Sequence, residues 1–428
     1  MKYLYIDNFR GFRKTYIPIK DINFLVGENS TGKTSILGLI KKLSPQFFLT
    51  DISFNIDDLN IRLFDDVVNK KLPDSNYFSI GMIKLDIKTN KVTHAFLMTF
   101  IEKQDGVSGI YRYTHFYRKK GIDIIYDEEN WYKKFDNIIS YNLDEFKEKV
   151  YNIWQIDHIN KNIDYTEYKS LPSNTLIVGI SQWLYDEIIN EDINYQILLD
   201  NNLNFANVVW MAPIRTKPKR TYDEFIFQYS SEGEHIPYLL KKIYNDKDKA
   251  KDFKKILNKF GRQSGMFDSI KVKKFGNAVN SPFEIQVVLN NMTINIINVG
   301  YGVSQSLPIL IEFIARPKDT SFVIQQPELH FHPKAQAALG NFIYNLFKTE
   351  GKKFFIETHS DFIIDRFRYN LRSKDSKNPK AQVLFFERVK DGNSVYPIEI
   401  LENGEMSEDQ PTKYQDFFIQ EAIQGLGI

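Results

Sequence analysis

The octapeptide Gly27-Glu28-Asn29-Ser30-Thr31-Gly32-Lys33-Thr34 constrains this chain more than any other segment. An apolar run, Ile22-Asn23-Phe24-Leu25-Val26, leads into it, and beyond it Ile36, Leu37, Ile40 and Leu43 recur at helical spacing. A strand, a glycine-bounded loop and a helix in that order make a phosphate cradle, the Walker A pattern. The two glycines let the backbone turn so that successive N–H groups converge on anionic oxygens, and the helix adds the positive end of its dipole. In such a loop Gly27, Asn29, Ser30, Thr31, Gly32 and Ser35 surround a triphosphate. Lys33 reaches the β- and γ-phosphates, and Thr34 supplies a hydroxyl to Mg²⁺. With Gly at ~7% of residues the pattern arises by chance in roughly one or two of a hundred chains this long. The flanking strand and helix make an accidental glycine turn rarer still, so the expected ligand is ATP with Mg²⁺.

Length and composition set limits on what surrounds the loop. At 428 residues the chain exceeds the ~250–300 over which a single core grows, so a nucleotide-binding core with a sizeable insertion is expected. The 43% hydrophobic and 26% charged residues match ordinary globular usage and argue against wholesale disorder. The absence of cysteine excludes disulfides, thiolate zinc sites and cysteine nucleophiles. A formal net charge of +2 is too small to indicate nucleic-acid binding by itself. The cluster Arg215-Thr216-Lys217-Pro218-Lys219-Arg220 reads equally as a local basic patch or a solvated loop. The first residues lack the apolar core of a signal peptide, and no run of about 18 apolar residues occurs, so a cytoplasmic protein without a membrane partner is expected.

Along the chain the character changes twice. Residues 1–45 hold the phosphate loop, and Pro45 ends its helix. Residues 46–205 are rich in Asn, Asp, Lys, Tyr and Phe. They read as β-hairpins, with strands at 83–87 and 92–101 around a Thr89-Asn90 turn, followed by mixed helical segments. From 206 to 428 the chain alternates again. Strands are expected at 208–211, 285–297, 321–324 and 353–356, helices from about Ser304 and Pro333, and a hairpin from 383–387 and 394–400. Strands alternating with helices predict an α/β core with a mainly parallel sheet. No internal repeat and no sustained heptad occurs, which removes the long coiled-coil arms of chromosome-maintenance ATPases.

Three later stretches complete a set. Val299-Gly300-Tyr301-Gly302-Val303-Ser304-Gln305 leads into a helix. Phe322-Val323-Ile324-Gln325-Gln326-Pro327-Glu328-Leu329-His330-Phe331-His332-Pro333 joins a strand to a helix, and Thr358-His359-Ser360 follows a strand. With the phosphate loop, the order of these motifs resembles that of ABC-type P-loop ATPases. The resemblance is to the branch whose Walker B region runs Pro-Glu-Leu-His-Leu-His-Pro. That branch includes the overcoming-lysogenization-defect proteins and the ATPase subunits of bacterial anti-phage systems such as PARIS and Septu. Asn8-Phe9-Arg10-Gly11-Phe12, Pro213 with Arg215, and Asp416-Phe417-Phe418 extend the resemblance to both ends, while 46–205 adds little to it.

The resemblance implies an α/β fold, an ABC-type ATPase head with a mainly parallel sheet and an antiparallel β part, carrying a large inserted α+β region. It implies that Arg10 belongs to the nucleotide site and that His359 is the switch histidine facing the γ-phosphate. Gly302, Ser304 and Gln305, in the signature stretch, would cap a nucleotide held by another protomer, giving a homo-oligomer of ATP-sandwiched heads. The branch carries Asp then Glu where this chain has Gln325 and Gln326. Gln325 can coordinate Mg²⁺ weakly and Gln326 can orient water, but neither amide accepts a proton. Hydrolysis is then expected to be slow or to rely on Glu328. A natural slow enzyme and a substitution introduced to trap ATP both remain open. Plainer readings stand beside these: Glu328, His330 and His332 as an ordinary loop rather than a metal set, Gly300 and Gly302 as a tight turn, His359 as packing.

After the switch histidine the nuclease members of the branch carry an acidic Toprim domain, whereas the tail here shows no acidic triad. Two functions are expected to compete. One is an oligomeric ATP-gated scaffold or sensor that controls a separate effector, a nuclease or toxin encoded nearby, with DNA or a phage protein as trigger. The other is a stand-alone DNA-acting ATPase of repair or recombination. A nucleotide-binding module without turnover is the blandest alternative.

Overall fold

The computed structural model describes residues 1–44, 54, 59, 61, 63–69, 76–117, 120–126, 130–137, 141–153, 165–168, 207–213, 215–224, 226, 228–278, 280–373 and 377–417. Among them the strands are β1 (Lys2–Asp7), β2 (Thr15–Ile19), β3 (Ile22–Gly27), β4 (Tyr77–Asp86), β5 (Lys91–Glu102), β6 (Ser108–Tyr117), β7 (Lys120–Tyr126), β8 (Trp131–Asn137), β9 (Thr166–Tyr168), β10 (Val208–Met211), β11 (Ser269–Lys274), β12 (Phe283–Leu289), β13 (Met292–Asn295), β14 (Ser321–Gln325), β15 (Lys353–Glu357), β16 (Ala381–Val389) and β17 (Gly392–Ile400). The helices used below are α1 (Lys33–Lys42), α2 (Leu143–Ile153), α3 (Ile236–Asn245), α4 (Lys247–Ser264), α5 (Tyr301–Ala315), α6 (Pro333–Glu350) and α7 (Asp361–Leu371). They divide between two compact units: residues 1–20, 28–207 and 386–397, and residues 21–27, 208–385 and 398–428.

The first unit is built on an eight-stranded sheet in the order β2-β1-β4-β5-β6-β7-β8-β9, and every pairing in it is antiparallel. The tight turn after β4 places Asn90 at φ 52°, a left-handed conformation that Asn tolerates, so the hairpin expected around Thr89-Asn90 forms. Strands read as part of an insertion therefore extend the sheet begun by the first residues of the chain. One apolar cluster joins Tyr5, Ile83, Leu85, Leu97 and Phe116 to Phe146 of α2. Elsewhere Phe9, Phe54, Phe78 and Phe100 pack edge to face or stacked, with ring centroids 4.9–6.0 Å apart. Pro45 and 169–206, which the sequence assigned to a helix stop and to mixed segments, lie outside the described residues.

The second unit carries a six-stranded sheet in the order β10-β14-β15-β3-β16-β17. Its first four strands run parallel, with Met211 beside Ile324, Ile324 beside Ile356, and Ile356 beside Phe24. Their residues are almost all buried, as expected of parallel strands covered on both faces. The α/β class expected from the sequence is the one observed. Helix α6 connects β14 to β15. His332 caps it, Pro333 opens it, and Gly351 at φ 67° closes it. Strands β16 and β17, joined at Lys390-Asp391, form the predicted hairpin and pass through both units. A three-stranded antiparallel sheet, β11-β12-β13, completes the second unit.

Two sequence expectations shift. The strands expected at 285–297 are β12 and β13, reversed at Asn290 and Asn291 with φ 50° and 64°, but from Ile296 the chain forms a 3₁₀ turn over Ile296–Asn298 instead of strand. Helix α5 begins at Tyr301 rather than near Ser304, so the signature stretch is its first turn, and Pro308 lies inside it.

Candidate functional site

In the first unit the phosphate loop has the geometry its sequence demands. Ser30 lies at φ 62° and Gly32, the N-cap of α1, at φ 92°. A Cβ on Gly32 would come within 2.5 Å of the Phe12 ring, so glycine is required there on two counts. The Thr31 hydroxyl and the Lys33 ammonium both donate to the Glu28 carbonyl, at 2.8 and 2.7 Å, which curls the loop around itself. Lys33 is buried, Thr34 half-buried and Ser35 buried. Arg10, itself left-handed at φ 50°, donates through Nη1 to the Ser35 hydroxyl at 2.9 Å and through Nε to the Asp66 carbonyl at 3.2 Å. Two residues assigned to the nucleotide on sequence grounds, Arg10 and Ser35, thus hold one another.

The β16–β17 hairpin supplies neighbours that sequence reasoning missed. Asn393 N–H donates to the Gly11 carbonyl at 2.6 Å, and the Asn393 amide lies where a Cβ on Gly11 would fall. Arg388 Nη2 donates to the Ser30 carbonyl at 3.3 Å. The Asp391-Gly392 pair was the available signal, since Gly392 at φ 148° brings the turn against Gly11. No local pattern could say that this turn, more than 350 residues away in sequence, meets the loop.

In the second unit the carboxyl ends of four parallel strands open side by side, the place where α/β sheets bind ligands. Gly27 ends β3, Gln325 ends β14, and Glu357 ends β15, with Gln325 beside Glu357 and Glu357 beside Leu25. The backbone is pinned there: Gln326 N–H donates to the Glu357 carbonyl at 2.8 Å and Thr358 N–H to the Leu25 carbonyl at 3.1 Å. Gln326 itself sits at φ 41°, an uncommon conformation for a residue with a side chain. Glu328 is half-buried, and its Oε1 accepts the His359 N–H at 2.7 Å. Burial pushes the Glu328 carboxyl above its ordinary range, with the charge of Glu357 adding to the rise. The hydrogen bonds it accepts from the His359 and Glu328 N–H groups and the Thr358 side chain only partly oppose this. The His359 ring stands 6.1 Å from that of Phe417.

The remaining predicted residues fall on α5 and the loop after β14. Gly300 caps α5 and is exposed, and a Cβ there would meet nothing within 4 Å. Gly302 is different, because a Cβ would lie 2.6 Å from the His330 carbonyl oxygen, so glycine lets α5 approach that loop. The Ser304 hydroxyl donates back to the Tyr301 carbonyl at 3.0 Å, and the Gln305 amide donates to the Arg215 carbonyl at 3.5 Å. Both side chains are buried. His332 Nδ1 accepts the Ala335 N–H as a helix cap, and His330 lies edge-on to Tyr301. Among the described residues no group of three or more His, Asp or Glu side chains is arranged to hold a metal ion. Thr34 and Gln325, the candidate donors, offer two neutral oxygens. Neutral oxygens of this kind fit a Mg²⁺ ion carried by phosphates better than one bound by protein alone.

A family described as AAA ATPase domain matches residues 1–364. No curated protein matches the chain. Similar solved structures include the Smc head domain with an extended coiled coil, bound to the C-terminal domain of ScpA, from Pyrococcus furiosus. It has TM-score 0.44 and 10% identity, covering 99% of this chain and 100% of that one. The SMC head domain from Thermotoga maritima has TM-score 0.36 and 11% identity, covering 93% of this chain and 98% of that one. The ATP complex of the recombination mediator protein RecF has TM-score 0.31 and 11% identity, covering 92% and 98%. Among the described residues no helix is long and apolar enough to cross a membrane.

Proposed function

The chain belongs to the AAA ATPase domain family, and on that premise we propose that it is a slow ABC-type ATPase that works as an ATP-gated switch. It assembles through heads that sandwich ATP and controls a separate effector in bacterial anti-phage defence. The observation that carries the slow-switch reading is the end of β14. Two amides, Gln325 and Gln326, stand at the end of β14, one strand removed from the β3 that leads into the phosphate loop, where a proton acceptor would serve hydrolysis. Lys33 and the loop N–H groups hold the triphosphate. Thr34 through its hydroxyl and, weakly, Gln325 through its amide oxygen would hold the Mg²⁺ that accompanies the nucleotide, and the ion would offset charge on the phosphates. Gln326 orients water, and Glu328, which shares these strand ends with Glu357, is the carboxyl that takes the water proton. His359, fixed through its own N–H to Glu328, faces the γ-phosphate.

The sandwich draws its support from Gly300. Gly300 is exposed and a Cβ there would meet nothing within 4 Å, so the start of α5 is open to a partner head. Gly302, Ser304 and Gln305 follow it on the first turn of α5 and set its approach.

Phosphate release by Gln326→Glu tests the slow-switch reading. A base placed there accelerates turnover by about 10²–10⁴-fold, and an unchanged rate removes position 326 from the water-activating role. For the effector, affinity purification with the products of neighbouring genes, with and without ATP, is expected to retain a nuclease or toxin only when ATP is present.

The second reading, a DNA-acting ATPase, is favoured by the charge of one segment. Between positions 241 and 274 the chain has twelve Lys and Arg against four Asp, although the whole carries a net charge of +2. Most of these cations, on α4 and β11, are exposed. Such a surface binds a phosphate backbone with an affinity that falls steeply with salt. Duplex DNA binding that weakens linearly in log salt, and is lost in Lys251→Glu/Lys255→Glu, would support it. Binding indifferent to both would leave DNA no role at this face.

A further inference from the structure

Arg215 is the buried cation for which the fold supplies least. It is 2% exposed, and among the described residues none of its three guanidinium nitrogens has a hydrogen-bond partner. A guanidinium cannot shed its proton at working pH, so the usual escape of a buried charge is closed to it. Unpartnered buried polar groups in native proteins mark functional sites or strain. Arg215 follows β10 by four residues, and β10 pairs in parallel with β14, so it emerges at the same end of the sheet as Gln325 and Glu328. Glu328 presents a matching anomaly. Its Oε1 is held by the His359 N–H, while its Oε2 is buried without a partner. Burial lowers the Arg215 guanidinium from its ordinary range, and the charge of Glu328 opposes that fall.

We propose that Arg215 is a positioning residue for Glu328, keeping that carboxyl ionised and its free oxygen directed at the water used in hydrolysis. The inference rests on the reading of the site as an ATPase. Burial and the charge of Glu357 on β15 both push Glu328 toward its protonated form, in which it cannot accept a proton. Arg215, approaching from the end of β10, is the cation that opposes them. In the step itself the water oxygen forms a bond to the γ-phosphorus as the bond from phosphorus to the β–γ bridging oxygen breaks. The bonding pair leaves on ADP, and the water proton passes to Glu328 Oε2 and then to solvent. With Gln325 and Gln326 unable to take that proton, turnover depends on the charge state that Arg215 sets.

The experiment compares the wild type with Arg215→Gln, Arg215→Lys, Glu328→Gln and the double variant Arg215→Gln/Glu328→Gln. Phosphate release is followed from about pH 5 to pH 9, and the Glu328 carboxyl is titrated by carbon NMR in full-length, glutamate-labelled protein. Loss of a nearby opposite charge moves a carboxyl by about 1–3 pH units. Arg215→Gln is therefore expected to move both the acidic limb of the rate profile and the NMR titration upward by about that much. Arg215→Lys should leave the limb in place, and the double variant should be no slower than Glu328→Gln alone. A purely structural arginine would lower the rate equally at every pH and leave the carboxyl's titration unmoved, which overturns the proposal. Should Arg215→Gln fail to fold, the neutral double variant and the charge-keeping lysine decide it: a displaced limb in Arg215→Lys, or extra loss in the double, refutes it. The NMR titration is independent of turnover. A titration that responds to Arg215 in a protein releasing no phosphate above the Lys33→Ala background therefore refutes the ATPase reading and the catalytic use of the pair, and leaves the electrostatic coupling standing.

Discussion

Lys33 and its neighbours show how a motif settles local geometry and leaves its surroundings open. The spacing Gly27 to Thr34 announced the loop, and the left-handed Ser30 and Gly32 are the conformations such a loop needs. What the spacing could not announce is that the Lys33 side chain is buried and tied to the Glu28 carbonyl. A phosphate oxygen must displace that carbonyl and be the better partner, as a charge-assisted bond is. Lys33→Ala is therefore expected to weaken ATP binding about 10–150-fold, the equivalent of the ~1.5–3 kcal/mol of a bond to a charged group. The melting temperature should fall only slightly, because the carbonyl lies near the loop surface and can turn to water. Calorimetry beside a thermal melt checks both, and unchanged affinity would remove the loop from the nucleotide site. Arg388 and Asn393 were illegible for the opposite reason, since their partners Ser30 and Gly11 are distant in sequence and carry no local signal.

Helix α5 is the element where the sequence was partly right. A helix was expected there, but the expected start near Ser304 ignored that Gly300 is a competent cap. The early start puts Gly302 inside the helix, against the His330 carbonyl. Because that obstacle is backbone, Gly302→Ala is expected to cost about 1–3 kcal/mol, read as a lower urea midpoint. At the other end, Glu312 is buried and accepts from His235 Nε2 at 2.5 Å and Arg316 Nε at 2.5 Å. Burial raises the Glu312 carboxyl, but these bonds and the Arg316 charge prevail and hold it below the usual range. A carboxyl with a depressed folded pKa stabilises the fold at pH values above its unfolded pKa, and that contribution is lost as pH falls through the folded value. Acid unfolding of the wild type should therefore steepen below about pH 4.5, and Glu312→Gln should lose stability near neutral pH while flattening that acid dependence. Urea midpoints at several pH values measure the difference, and parallel curves would mean that Glu312 is not the titrating group.

For the molecule as a whole, the α/β class and strand order along the chain were legible because buried parallel strands are written as apolar runs such as 321–324 and 353–356. The continuity of β1 with β4 was not, because strand pairing across a long interval leaves no periodic trace. Net charge also hid its own distribution, which is a property of segments and not of the total. Assembly is tested at this scale. Ser304 is buried, so a large residue there would challenge the helix itself, whereas exposed Gly300 at φ −58° accepts a side chain. Gly300→Arg is expected to keep the monomer's melting temperature and abolish the ATP-dependent dimer in analytical ultracentrifugation. A normal dimer would count against the sandwich. The place of β16 beside β3 has a further consequence in time. Asn23 receives its hydrogen bond from Gln382 only after a further 359 residues have been made. At ~5–20 residues per second the interval is about 20–70 s, through which the nascent β3 has no neighbour on that side. A ribosome-bound fragment that stops short of β16 would thus carry the whole phosphate motif and still lack the strand beside β3, so nucleotide competence waits for β16 and β17.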